Sequence, residues 1–92
     1  MLQGDNAYFQ FNFEGYHLSD GPIVDGSFPN INYYLFIDRL SNWYIMKEDT
    51  TAKSYRFKKG SPVTGDATTT YAYNWTNRES GVYGYFDAVF SA

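Results

Sequence analysis

Three short runs of alternating side chains, joined by turns with room for nothing but a reversal, constrain this chain more than any other feature. Ile31, Tyr33, Leu35 and Ile37 alternate with Asn32, Tyr34, Phe36 and Asp38; Trp43 and Ile45 alternate with Tyr44 and Met46; Tyr55 and Phe57 alternate with Ser54, Arg56 and Lys58. A period of two is the signature of a strand, because successive Cβ atoms point to opposite faces of a sheet. The connections at 40–42 and 49–52 are too short for a crossover, so strands over 31–39, 43–48 and 53–58 must run antiparallel as a meander. The first is apolar on both sides, which marks a central strand. The last sets Arg56 and Lys58 on its polar side, where charge blunts edge-to-edge pairing.

Upstream, Phe9, Phe11 and Phe13 alternate with Tyr8, Gln10, Asn12 and Glu14, which predicts a fourth strand over 7–14. Each phenylalanine would contribute roughly 1.5–3 kcal/mol if fully buried. Between this run and the meander, Gly15, Gly21, Pro22, Gly26, Pro29 and Asn30 punctuate a stretch without sustained period, read as a long loop over 15–30. Loops of that length in a small domain tend to be functional. Ile23, Val24 and Phe28 on it either tuck back as a lid over the aromatic core or dock onto a neighbouring molecule, and with Tyr16 they are the candidate partner-binding residues of the loop.

After a turn-rich linker at 60–65, the apolar residues Trp75, Val82, Tyr83, Phe86, Val89 and Phe90 recur at helical spacing. They predict one helix over about 70–91, started by Asp66 or one of the threonines at 68–70. Gly81 and Gly84 each cost such a helix about 1 kcal/mol relative to Ala, and a break would fall near Gly81. The expected fold is α+β in a single domain over 1–92: an antiparallel sheet of about four strands with the helix on one face. Trp75, Arg78, Tyr83, Phe86 and Phe90 would clamp helix to sheet. The opposite face, with Tyr34, Tyr44 and Met46, would be left for a partner.

The chain holds ten Tyr, eight Phe and two Trp among 92 residues, against one His and no Cys. Rings supply contact area and stacking, whereas nucleophiles and metal ligands come from the types that are scarce here, so no catalytic, cofactor-binding or metal-binding residue is assigned. His17 stands alone on the loop. Asp38, Glu48 and Asp87 read as ion-pair partners of Arg39, Lys47 or Arg78 rather than as a hydrolytic pair. Asp20 and Asp25 are too sparse for a calcium loop. The signature of a phosphate-binding loop is missing at Gly60, which Ser61 follows. Lys47, Arg56, Lys58 and Lys59 with Tyr55 and Phe57 hold the ingredients of a single-strand binder, but alternation sets the rings opposite the charges, so nucleic acid is not the expected partner. The triplet Asn74-Trp75-Thr76 matches a glycosylation acceptor inside a predicted helix. No apolar run approaches a membrane span and the first residues lack a secretory pattern, so a soluble product without a membrane partner is expected.

Net charge is −3 and unevenly spread. Residues 1–38 hold five acids and no Lys or Arg, whereas residues 39–59 hold six bases against Glu48 and Asp49. Either the acidic part of one copy meets the basic middle of another, or neighbouring strands neutralise each other within one molecule.

Tyr44-Ile45-Met46-Lys47-Glu48, then Tyr55-Arg56-Phe57-Lys58-Lys59-Gly60, then Trp75-Thr76-Asn77-Arg78 and Tyr83-Gly84-Tyr85-Phe86-Asp87 closing with Phe90 form a spaced aromatic pattern over about residues 43–90. It resembles short uncharacterised proteins encoded by tailed bacteriophages. The resemblance implies a virion or assembly component, made in the host cytoplasm and acting through contacts with other virion subunits and with itself. A small intracellular phage effector that binds a host protein is the alternative reading. A carbohydrate-binding module using Trp43 and exposed tyrosines is the third.

Overall fold

The computed structural model describes residues 15–90, so the strand expected over 7–14 lies outside the described residues. One antiparallel sheet runs in the order β1 (His17–Val24), β2 (Ile31–Ile37), β3 (Trp43–Asp49), β4 (Ser54–Gly60). Two short helices follow, α1 (Tyr71–Thr76) and α2 (Phe86–Phe90), which makes the chain α+β.

The meander follows from the alternation. β2 and β3 pair without a slip from Ile31 opposite Asp49 to Ile37 opposite Trp43, and β3 pairs with β4 from Trp43 opposite Gly60 to Asp49 opposite Ser54. Aspartates close both turns. Asp38 Oδ1 accepts the N–H groups of Leu40 and Asn42, and Asp49 Oδ1 accepts those of Thr51 and Ala52. At the far end of β4, Gly60 lies under the Trp43 indole: an added Cβ would come within 2.5 Å of its Cζ2.

The segment read as a loop over 15–30 instead contains β1, and only residues 25–30 turn. Its glycines and proline are turn residues by composition, but an irregular edge strand accommodates them. The β1–β2 register slips between Leu18 and Asp20 and again between Asp20 and Ile23, around a cis Gly21–Pro22 bond. Gly21 has φ +105°, and a Cβ there would meet the Tyr33 carbonyl oxygen at 2.5 Å, so only glycine fits.

The single helix over 70–91 is also corrected. Asp66 caps a 3-10 turn at Ala67–Thr69, and the Thr70 hydroxyl caps α1 by accepting the Tyr73 N–H. A second 3-10 turn, Arg78–Ser80, ends at Gly81. The chain then runs extended to Gly84, which exchanges both backbone hydrogen bonds with Phe57 on the outer side of β4, at 2.7 and 2.8 Å. The break has a clear cause: the two glycines weaken the helix, and the open β4 edge offers two strong backbone bonds in its place.

This crossing lets one segment cover both faces of the sheet. Ile31, Tyr33, Leu35, Trp43 and Ile45 form the core on one face, packed by Tyr71, Trp75 and Tyr83. Phe36, Tyr44, Met46 and Phe57 form the core on the other, packed by Tyr16, Tyr34, Val89 and Phe90. The face expected to stand open beneath Tyr34, Tyr44 and Met46 is therefore closed by α2.

Candidate protein-contact surface

The candidate partner-binding residues divide sharply. Tyr44 and Met46 are 6% and 2% exposed and belong to the core, so neither is available to a partner. Tyr34 is half-buried and donates its hydroxyl to Glu48 at 2.9 Å. Burial, and then the Glu48 carboxylate, push that phenol up to about 12. Tyr16 is half-buried with its ring edge-on to Tyr44 at 5.0 Å. Ile23 is half-buried opposite Tyr33. Val24 and Phe28 stand out, 52% and 61% exposed.

Those two flank a rigid turn. Asp25 is buried; its Oδ1 accepts the N–H groups of Ser27 and Phe28 at 2.8 and 3.2 Å, and its Oδ2 accepts the Tyr33 hydroxyl at 2.8 Å. The Ser27 amide is the largest influence holding this carboxyl below its usual range, and it outweighs desolvation. The same contact, with burial foremost, raises the Tyr33 phenol. Glu79, in the 3-10 turn after α1, accepts the Gly26 N–H at 2.9 Å and ties the loop to the C-terminal segment. The loop thus presents Val24 and Phe28 from a fixed backbone, which lowers the ordering cost of any contact they make.

The expected clamp residues split between the two faces. Trp75 and Tyr83 pack on the first, where the Trp75 Nε1 donates to Asp20 at 3.1 Å and the Tyr83 hydroxyl to the Arg78 carbonyl at 2.9 Å. Burial raises the Tyr83 phenol, with the neighbouring Tyr33 adding to it. Arg78 turns back onto α1: its guanidinium lies 4.7 Å from the Trp75 ring, one N–H donates to the Trp75 carbonyl, and its Nε is buried without a hydrogen-bond partner. Phe86 and Phe90 serve the second face, each edge-on to Phe57.

A second exposed zone lines the β4 edge. A groove of about 420 Å³ between β4 and the start of α2 is bordered by Lys53, Tyr55, Arg56, Tyr85, Phe86 and Asp87. Tyr85 is 62% exposed and stacks under the Arg56 guanidinium at 4.0 Å. Lys47 and Lys59 lie over Tyr83 and Phe90 in the same manner. A ring attracts a cation through its quadrupole without supplying an opposite formal charge.

Sequence reasoning missed Asp25, Asn74 and Tyr85. Asn74 is buried and its amide donates to the carbonyls of Thr68 and Thr70, which fastens the 3-10 turn to α1. For Asp25 a signal existed, since an aspartate two residues before a serine in a Gly-rich stretch favours a side-chain-closed turn. Among the described residues no group of three or more His, Cys, Asp or Glu is placed to hold a metal ion, and no helix is long and apolar enough to cross a membrane. No family model, curated protein or solved structure matches the chain.

Proposed function

We propose that this chain is a non-enzymatic bacteriophage structural or assembly protein, present in several copies, that acts through protein–protein contacts in a virion. The observation that carries the reading is the placement of apolar side chains outside both cores on stiff backbone. Val24 and Phe28 flank the Asp25-closed turn, and Tyr85 borders the β4 groove. Rigid aromatic anchors beside charged groups are the chemistry of protein interfaces. The resemblance over residues 43–90 supplies the phage setting.

Mass spectrometry of purified particles tests the setting: peptides of this chain at high copy number support it, and their absence favours a host-directed effector. The contact residues are tested by replacing Val24 and Phe28 together with alanine. Both are exposed, so stability should change by no more than about 0.5 kcal/mol per site. Incorporation into particles should be lost; undiminished incorporation would refute the assignment of the loop.

A further inference from the structure

The exposed large apolar side chains of the strands are not scattered over the sheet. They are Leu18, Val24 and Tyr55, at 39%, 52% and 37% exposed. Register places all three on one face: Leu18 opposite Phe36, Val24 opposite Asn32 and Tyr55 opposite Glu48, on the side that carries Tyr44, Met46 and Phe57. The cover on that side is short. α2 has five residues, a length of about 7.5 Å, whereas the outer strands stand three spacings or about 14 Å apart. It packs on Phe57 and Tyr44, so it closes the centre of the second face and leaves Leu18 and Val24 on β1 exposed.

The chain carries an occupant of matching chemistry next to this strip. Fourteen residues precede Gly15 and lie outside the described part. Among them Phe9, Phe11 and Phe13 alternate with Gln10 and Asn12, so an extended segment there has one apolar side. The described chain starts on the right face, since Tyr16 belongs to the second cluster with its ring edge-on to Tyr44. Gly15 has φ +87°, a left-handed conformation that suits a reversal just before β1. Phe9 stands six residues from Gly15, a reach of up to about 20 Å, which spans the sheet. A tethered segment meets its site at an effective concentration in the millimolar range, which a second copy in dilute solution does not match.

We propose that residues 7–14 dock across the second face of their own sheet, with the side bearing Phe9, Phe11 and Phe13 against Leu18 and Val24. Val24 is also one of the contact residues of the function proposed above, so on that reading the segment and a virion partner compete for it.

A nitroxide on the full chain tests the docking, and with no native cysteine a Gln10→Cys variant takes the label at one site. In nuclear magnetic resonance spectra the methyl signals of Leu18, Val24 and Met46 should be broadened more than those of Ile31 and Ile45 on the first face, to the same degree at every concentration. Equal broadening on both faces, no broadening of the second-face methyls, or broadening that appears when nitroxide-bearing chain is mixed with isotope-enriched chain free of nitroxide would each overturn the inference, the last by assigning the strip to a second copy. Phe9→Ser with Phe11→Ser and Phe13→Ser should lower the urea midpoint, whereas Gln10→Ser with Asn12→Ser should leave it in place; an unchanged midpoint in the triple variant would also overturn it. The nitroxide result does not depend on the triple variant folding. Incorporation into particles that needs Val24 and Phe28, in a chain whose second-face methyls are not broadened, would remove the docking and leave the virion reading standing; the expected broadening in a chain missing from particles would do the reverse.

Discussion

The two faces of the sheet are sealed by the same C-terminal segment in different chemical languages. On the face under α1 the rings carry polar tips, and four of them donate hydrogen bonds: Trp43 to the Thr69 carbonyl, Trp75 to Asp20, Tyr83 to the Arg78 carbonyl and Tyr33 to Asp25. On the face under α2 phenylalanine dominates, and the contacts are ring on ring: Phe36 stacked on Tyr44 at 4.5 Å, and Phe90 edge-on to Tyr44 and Phe57 at 5.2 and 5.7 Å. Hydrogen bonds fix direction, whereas ring contacts and buried area supply adhesion with a broader tolerance of angle. The first face is thus positioned by bonds and the second is held by area.

That contrast is open to attack, and the largest effect belongs to the face held by ring contacts. Phe36 is buried against Tyr44, so Phe36→Ala should cost about 3–5 kcal/mol, read as a lower urea midpoint at unchanged slope. This is a large share of the roughly 5–15 kcal/mol that holds a domain together. A cost under about 1 kcal/mol would mean that area does not hold this face.

The next effect falls on the joint between the faces. Gly84→Pro removes the N–H that bonds the Phe57 carbonyl and should cost about 2–3 kcal/mol. Trp43 and Trp75 report the first face by fluorescence, and the near-ultraviolet dichroism of the Phe–Tyr cluster reports the second. Both signals should shift together in this variant; a shift in one alone would show that the two seals act independently.

The smallest effect sharpens the first face. Asp25→Asn keeps the shape of the side chain but loses its charge, at about 1–2 kcal/mol near neutral pH. The sign of the pH dependence follows from the lowered carboxyl. A depressed carboxylate stabilises the fold above its unfolded value of about 3.9 and loses that contribution as pH falls through its folded value. Wild type and variant should therefore differ at pH 7 and converge in acid; a difference constant with pH would place the effect elsewhere.

How much of this was legible in the chain depends on where the deciding interaction sits. The meander was readable because alternation and turn length are local, and strands expected at 31–39, 43–48 and 53–58 form at Ile31–Ile37, Trp43–Asp49 and Ser54–Gly60. β1 was hidden because its punctuation, Gly21 and Pro22, is shared by loops and by bulged edge strands, and only the fit of Gly21 against Tyr33 decides between them. Of the helical stripe from Trp75 to Phe90, Trp75, Tyr83, Val89 and Phe90 pack against the cores while Val82 is exposed, and the stripe was misleading as a single element. Its members point to two different cores because Gly84 pairs with a strand far away in sequence, a choice that no periodicity records. The exposure of the candidate contact residues was half legible: Val24 and Phe28 are exposed, while Tyr44 and Met46 are interior because the same crossing covers them.

The Gly84 crossing has one more consequence. Two hydrophobic clusters with no side chain in common are joined where Gly84 bonds to Phe57, so loosening that joint loosens the residues that seal both. The two halves should melt as one cooperative unit, and substitutions placed on opposite sides of the sheet should fail to add despite the β-layer between them.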